Sequence, residues 1–150
     1  MEKMEQIGKA VLDYRFYPED DKYTDGAIED EMLEIARNCA PEQYERVIVE
    51  KKSWPILYHF SYLRENIIRW LPMDGSENVL EIGAGPGAIT GALCEKGRQV
   101  TVIDLSKKRC LINAYRHKDC DNLHFLVGNF QDIEPKLTEQ YDLITLIGVF

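Results

Sequence analysis

Three glycines at alternate positions, preceded by one acidic residue, are the residues of this sequence whose spacing points most directly to chemistry. Glu81 stands two residues before Gly83, and Gly85 and Gly87 follow at alternate positions. Glycines placed this closely permit a tight turn in which the backbone approaches a ligand without interference from side chains. The segment therefore predicts a loop that binds a small molecule, with a carboxylate beside it.

The loop lies between a predicted strand and a predicted helix. Val79, Leu80 and Ile82 form a short apolar run that is typical of a buried strand in a parallel sheet. After the glycines, apolar residues recur at helical spacing over residues 88–93. A strand, a glycine turn and a helix in this order build nucleotide sites at the carboxyl ends of strands in open α/β sheets.

The residues of the turn also indicate which kind of nucleotide it would bind. A dinucleotide site prefers the pattern G-x-G-x-x-G/A, which Gly83, Gly85 and Ala88 satisfy loosely. A pyrophosphate, however, binds to free N–H groups at the start of a helix, and Pro86 removes one of these donors. Together with the carboxylate of Glu81, this favours a ligand that has a cationic end and no phosphate.

A second acidic residue follows at the end of the next predicted strand. Asp104 lies about 20 residues after the glycine turn, where a carboxylate can accept hydrogen bonds from both hydroxyls of a ribose. Leu105 follows it directly and is assigned to the same site. The alternative is that Asp104 caps the next helix, a role for which Ser106 is the competitor.

The pattern E-x-G-x-G-x-G, with its flanking strand and helix, resembles the first motif of the class I S-adenosylmethionine-dependent methyltransferases. The resemblance implies that Asp104 binds the ribose and that Glu81 helps to hold the loop and the ammonium group of the cofactor. The loop itself would pass the amino-acid end of S-adenosyl-L-methionine, and the product would be S-adenosyl-L-homocysteine. The loop residues assigned to the cofactor are Gly83, Ala84, Gly85 and Gly87.

The same family places cofactor contacts at the ends of the third and fourth strands. At the position of Asn129 it carries an acid or an amide that accepts a hydrogen bond from the exocyclic amine of adenine, which the amide oxygen of Asn129 can also do. Phe130 is predicted either to cover the adenine ring or to pack in the core. Gly148 would let the backbone approach the cofactor, and a plain buried strand end is the alternative.

The predicted fold class is α/β, a doubly wound Rossmann-like parallel sheet with a helical N-terminal extension. Residues 1–53 are predicted to form the extension and residues 54–150 the cofactor-binding domain. Strands are expected at residues 100–104, 123–127 and 141–150 after the one that leads into the loop. Right-handed crossovers between them give the spatial order three-two-one-four.

Apolar spacing predicts three helices before the sheet, the last of them continuous over residues 54–71. Ahead of these helices, residues 11–17 could form an extended arm. Bulky side chains crowd the start of the last helix and are interpreted either as a lid over the cofactor or as packing against the sheet: Trp54, Tyr58, His59 and Tyr62.

A complete domain of the resembled family has further strands beyond the four predicted here. The expectation is therefore that this chain is the N-terminal part of a methyltransferase and is inactive alone, with most of the acceptor site elsewhere. No catalytic residue is assigned. The predicted fourth strand is almost entirely apolar, and its open edge needs a neighbour, so a homodimer through that edge is predicted.

Composition limits the partners. A net charge of −8 argues against binding to the backbone of a nucleic acid, and no apolar run approaches the length of a membrane span. Four scattered cysteines without a C-x-x-C pair are typical of a reduced cytoplasmic protein. No metal site is predicted, because His117, Cys120 and His124 share no face.

The expected acceptor is a small molecule or a glycan, and its identity stays open. The helix over residues 54–71 and the run 113–117 resemble methyltransferase domains of larger bacterial proteins tied to cell-surface glycans. Two other functions also stay open. One is an NAD-dependent oxidoreductase, which Pro86 and Glu81 disfavour, and the other is a non-catalytic nucleotide-binding or regulatory module.

Overall fold

One mostly parallel sheet organises the molecule. Its strands are β1 (Met4–Ile7), β2 (Ala10–Phe16), β3 (Asn78–Ile82), β4 (Gln99–Asp104), β5 (Leu123–Gly128) and β6 (Leu143–Leu146). The computed structural model describes residues 3–21 and 24–149, and its strands lie in the order β1-β2-β5-β4-β3-β6. The α/β class is confirmed, and the predicted order three-two-one-four recurs as β5-β4-β3-β6, with two further strands beyond β5.

Helices connect the parallel strands and form a layer outside them. They are α1 (Ala27–Asn38), α2 (Tyr44–Lys51), α3 (Trp54–Phe60), α4 (Asn66–Arg69), α5 (Thr90–Lys96), α6 (Lys107–Arg116) and α7 (Phe130–Ile133). Short 3₁₀ turns lie at Pro41–Gln43, Tyr62–Glu65 and Glu134–Lys136. Within the described ranges, no helix combines the length and the apolar composition that a membrane crossing requires.

Residues 4–16 correct the prediction of a helical N-terminal extension in its first part. They form a hairpin in which β1 pairs antiparallel with β2, and β2 joins the sheet parallel to β5. Ala10, Leu12 and Tyr14 alternate at the period of a strand and are all buried. The extended arm expected at residues 11–17 is thus largely a strand of the sheet.

The continuous helix predicted over residues 54–71 is also corrected. Ser61 has a ψ of 131°, outside the helical region, and its hydroxyl accepts a hydrogen bond of 3.3 Å from the N–H of Leu63. That bond starts the 3₁₀ turn between α3 and α4. The predicted apolar face is divided accordingly, because Ile56 and Phe60 are buried whereas Leu63 is 57% exposed.

Three apolar clusters hold the layers together. The largest joins the sheet to α5 and α6 through residues such as Val79, Leu93 and Phe125, and a smaller one, with Ile133 of α7, lies on the other face of the sheet. The remaining cluster packs α1, α2 and α3 against Ile112 of α6. The helices α1–α4, residues 27–69, are called the N-terminal cover below. The first three pack with α6, α4 lies against α5, and the cover reaches the loop side of the sheet.

Candidate functional site

The glycine loop follows β3, and its three glycines differ in what surrounds them. All three have positive φ angles, of 71° at Gly83, 56° at Gly85 and 87° at Gly87. A Cβ atom would collide with the side chain of Val149 at Gly83 and with that of Asn113 at Gly87. A Cβ atom at Gly85 would meet nothing within 4 Å. The backbone of Gly85 is therefore the part of the loop that faces open space.

A cavity of about 530 Å³ lies over the carboxyl ends of the strands. Its size suits a small-molecule ligand. The structure brings most of the predicted cofactor residues together around it, namely Gly83, Ala84, Gly85, Asp104, Leu105, Asn129, Phe130 and Gly148. Glu81 and Gly87 are absent from its wall. Glu81 lies behind the loop, and Gly87, within the loop, faces the side chain of Asn113.

Glu81 is buried and belongs to a chain of hydrogen bonds. Its Oε2 accepts a bond of 2.7 Å from the hydroxyl of Thr90, and Thr90 Oγ1 accepts one of 2.9 Å from the amide of Asn113. The His117 Nδ1 lies 2.7 Å from the Oδ1 of Asn113 and continues the chain. Glu81 reaches only a recess of about 20 Å³ beside the main cavity.

Burial raises the pKa of Glu81 to about 7, although the hydrogen bond from Thr90 and the charges of Arg116 and Arg64 act in the opposite direction. The nearby charge of Asp104 contributes to the rise. The carboxyl group is therefore close to half-protonated at neutral pH, and it supports the loop from behind.

Asp104 ends β4 at the wall of the cavity. One carboxylate oxygen accepts a hydrogen bond of 2.8 Å from the N–H of Gly85, and the other accepts one of 3.0 Å from the N–H of Ser106. The cap of α6 is Ser106, whose Oγ accepts a bond from the N–H of Arg109, so the capping alternative for Asp104 is not what the structure contains. Burial raises the pKa of Asp104, and the two backbone N–H bonds oppose that rise.

Each oxygen of Asp104 retains acceptor capacity after these bonds, because a carboxylate oxygen has two lone pairs. The carboxylate is thus fixed in orientation by the backbone and can still accept hydrogen bonds from two hydroxyl groups in the cavity. A 1,2-diol such as the hydroxyl pair of a ribose has that geometry.

Asn129 and Phe130 stand at the start of α7. Asn129 is exposed, and its Oδ1 accepts a hydrogen bond of 3.0 Å from the N–H of Gln131, which makes it the N-cap of the helix. That bond occupies one of the two acceptor positions on the oxygen that the sequence assigned to adenine. Phe130 lines the cavity and also packs against the smaller cluster of the sheet, so both alternatives for its ring are compatible.

The N-terminal cover supplies a second wall of the cavity. Tyr58 and His59 line it, as the lid alternative for these residues requires, whereas Trp54 and Tyr62 do not. Burial lowers the pKa of His59 to about 4, helped by the charges of Arg64 and Arg116, and the imidazole is therefore neutral at pH 7.

Arg64 and Arg109 also line the cavity, and the sequence did not single them out as site residues. Arg64 gave no signal because the helix was assumed to continue through it, whereas it lies in the 3₁₀ turn that follows Ser61. Arg109 pairs with Glu29, 80 positions away in the sequence, and sequence spacing gives no sign of that partner.

Two arginines attach the cover to the rest of the site. Arg116 donates through one nitrogen to the carbonyl oxygens of His59, at 2.8 Å, and of Pro86, at 2.7 Å. Arg109 forms an ion pair of 2.7 Å with the fully buried carboxylate of Glu29. The cover is thus joined directly to the glycine loop and to the first turn of α6.

The comparison with protein families agrees with this geometry. Residues 79–150 match the model of a family described as a methyltransferase domain. The ribosomal RNA small subunit methyltransferase A of Pseudomonas putida is 32% identical over 84 residues, which are 56% of this chain and 30% of that protein. An uncharacterized methyltransferase of Staphylococcus carnosus is 33% identical over 97 residues, 63% of this chain and 45% of that protein.

A solved structure shares the fold. It is the phosphoethanolamine N-methyltransferase 1 of Haemonchus contortus, solved with phosphoethanolamine and S-adenosylhomocysteine, at a TM-score of 0.50 and 20% identity, covering 81% of this chain and 26% of that chain. The resemblance to class I S-adenosylmethionine-dependent methyltransferases is confirmed by the match of residues 79–150 to a methyltransferase domain. The closer resemblance to glycan-associated bacterial proteins finds no support in these relatives. The chain spans less than half the length of the two curated relatives.

Proposed function

We propose that this chain binds S-adenosyl-L-methionine and contributes the cofactor side of a methyl-transfer enzyme. The observation that carries the proposal is one cavity into which the open backbone of Gly85 and the oriented carboxylate of Asp104 both face. The hydrogen bond between these two groups fixes them relative to each other. A ligand that has a ribose and, next to it, an aliphatic tail lying against the backbone matches Asp104 and Gly85.

The remaining wall residues fit the two ends of such a nucleoside. Asn129 and Phe130 offer an amide and an aromatic ring at the end of β5, suited to a purine. When bound, S-adenosyl-L-methionine supplies an activated methyl group on a sulfonium. The residues of this chain would act by orienting the nucleoside and excluding water, since displacement from a good leaving group depends mainly on positioning.

The acceptor belongs to the proposal as well. A small molecule or a glycan is favoured, because a net charge of −8 disfavours the phosphate backbone of a nucleic acid. The name of the Pseudomonas putida relative refers to ribosomal RNA, so an RNA acceptor is the outcome that would contradict this part. A homodimer through β6 is also proposed, since Ile144 and Leu146 on that edge strand are 57% and 60% exposed.

Calorimetry with S-adenosylhomocysteine, S-adenosylmethionine and NAD tests the proposal. A sulfur nucleoside at 100 times its dissociation constant should stabilise the fold by about 2.7 kcal/mol. Asp104→Asn should weaken its binding. Asp142→Asn is the matched control, because that carboxylate also accepts a backbone N–H, from Asn78 at the opposite end of β3.

Binding of NAD without a response to either sulfur nucleoside would overturn the proposal in favour of the oxidoreductase alternative. Cofactor binding by a longer form of the protein that transfers no methyl group to any acceptor class would favour the non-catalytic module.

A further inference from the structure

An arginine of the N-terminal cover borders the glycine loop and has no anionic partner in the part of the chain that the structure describes. Arg64 lines both the main cavity and the small recess beside it, and Gly83 and Ala84 line the same two spaces. It is half-buried. Across residues 3–21 and 24–149, no carboxylate forms an ion pair or a hydrogen bond with its guanidinium.

The neighbouring arginines are different. Arg69, five positions further on, pairs with Glu65 and Glu95. Arg109 pairs with Asp25 and Glu29. Arg64 differs from both, because among the described residues no carboxylate pairs with its charge at the ligand cavity.

The contact that orients Arg64 is aromatic. The centre of its guanidinium lies 4.1 Å from the ring centroid of Tyr58, which also lines the cavity. A guanidinium stacked on a ring keeps its N–H groups directed outward in the plane of the fork. A planar fork of this kind matches a carboxylate, to which it can donate two parallel hydrogen bonds.

A buried carboxyl group of the sheet also borders the recess, and it forms no ion pair with Arg64. Glu81 borders the recess with Arg64, but its carboxyl accepts from Thr90 and is near half-protonation at neutral pH because burial raises its pKa to about 7. The positive charge of Arg64 acts inside the site. Together with burial, which is the larger cause, it lowers the pKa of His59.

We propose that Arg64 binds the α-carboxylate of the amino-acid end of the bound S-adenosyl compound, an inference that rests on the proposed function. The carboxylate is the anionic group of that ligand, and Arg64 is a cavity-lining cation without a carboxylate partner among residues 3–21 and 24–149. With Asp104 at the ribose, the ligand is held at two charged points, one on the sheet and one on the cover. Arg64 is thereby a binding residue that selects nucleosides with an amino-acid tail.

Two ligands that differ in this tail test the inference. S-Adenosylhomocysteine carries the carboxylate, whereas 5′-methylthioadenosine has the same nucleoside and sulfur without an amino-acid group. Titration calorimetry should show that Arg64→Gln weakens S-adenosylhomocysteine by roughly tenfold or more, as expected for hydrogen bonds between charged groups. The affinity for 5′-methylthioadenosine should stay within about twofold, since it has no group for Arg64 to bind.

Arg69→Gln is the matched control, because it removes the same charge from the same cover at a position outside the cavity. It should leave both affinities unchanged. Arg64→Lys should lie between wild type and Arg64→Gln, since the charge remains and the fork is lost. Unchanged circular dichroism and thermal unfolding of each variant establish that it is folded.

Equal weakening of both nucleosides by Arg64→Gln would overturn the inference, and so would no weakening of either. In both cases binding by the wild type would leave the proposed function intact. Failure of the wild type to bind either nucleoside would instead remove the proposed function, and this inference with it.

Discussion

The two walls of the cavity are built in different ways. On the sheet side, Asp104 and Glu81 are buried and fixed by hydrogen bonds of 2.7 to 3.0 Å to backbone or side-chain donors. On the cover side, Tyr58 is exposed, Arg64 has no anionic partner among the described residues, and both belong to short helical pieces. One wall is therefore set by the folding of the sheet, and the other by the packing of the cover on α6 and by the bonds of Arg109 and Arg116.

This difference separates two tasks within one site. Groups on the sheet wall cannot move without breaking buried hydrogen bonds, so they define where a ligand lies. The cavity-facing side chains of the cover, Tyr58 and Arg64, are exposed or half-buried. They can move with a smaller free-energy cost, because groups with few buried contacts open locally. Variants of the sheet wall should thus change the stability of the whole fold, whereas variants of the attachments should release the cover.

The largest effect is expected from cutting the main attachment of the cover. Arg109→Gln leaves the buried carboxylate of Glu29 without its cation, which should cost about 3–5 kcal/mol. Urea unfolding followed by the fluorescence of Trp54 and Trp70 reports on the cover, and circular dichroism reports on the whole fold. Fluorescence should change at a lower urea concentration than dichroism, and adding Glu29→Gln should restore part of the loss. Coincident transitions would show that cover and sheet form one cooperative unit.

Alanine substitutions at two glycines of the loop test how tightly the sheet wall is packed. Gly87→Ala places a Cβ against Asn113 at a positive φ, and overpacking together with backbone strain should cost about 2–5 kcal/mol. The Cβ of Gly85→Ala meets no neighbour. Only the strain of a positive φ at a residue with a Cβ then destabilises the fold, by about 1–2 kcal/mol. Denaturant unfolding of both variants gives the difference. Equal losses would mean that Asn113 moves aside freely.

The protonation of Glu81 gives the sheet wall a pH dependence. Its pKa in the folded protein, about 7, is above that of an unfolded chain, 4.5, so the folded state binds the proton more tightly and loses stability as pH rises between these values. Glu81→Gln removes this loss and should gain on the order of 3 kcal/mol relative to wild type between pH 4 and pH 8. The difference between the two unfolding free energies cancels titrations common to both. A pH-independent difference would contradict the raised pKa.

The smallest effect is expected where the chain before the cover meets α6. The carboxylate of Asp21 accepts hydrogen bonds from the N–H groups of Lys107 and Lys108, at 3.0 and 3.1 Å. Asp21→Asn keeps an acceptor and loses the charge at a helix N-terminus, which should cost about 0.5–1 kcal/mol. Thermal unfolding at low and high salt measures it, and the loss should shrink at high salt. A salt-independent loss would mean that geometry and not charge is what matters there.

The sheet and most of the cavity wall could be predicted because their signals are local. Apolar runs separated by helical spacing define β3 to β6 and their order, and the carboxyl ends of parallel strands necessarily meet at one edge. The burial of Glu81 was also within reach of the sequence. A strand period of two places Glu81 on the face of Val79, toward α5, where Thr90 supplies the hydroxyl.

The missed features depend on distant partners. β2 becomes a strand of the sheet because β5 pairs with it, and nothing within residues 10–16 specifies that neighbour. Arg64 enters the cavity because the backbone leaves the helix at Ser61, although the apolar spacing on both sides favours continuation. Local periodicity carries no information on either point, since tertiary contacts decide both.

The pairing of β2 with β5 also sets an order of events during synthesis. Val11 lies beside His124 in the sheet, so the first hairpin to be translated must wait for a strand more than 100 positions later. At about 5–20 residues per second, the interval is roughly 6–20 seconds. Throughout it, the apolar face of the hairpin has no sheet to join, and closing so long a loop slows the final step. β2 can thus pair in the sheet only after β5 has been synthesised, and until then the apolar side chains of residues 4–16 are open to binding by a chaperone.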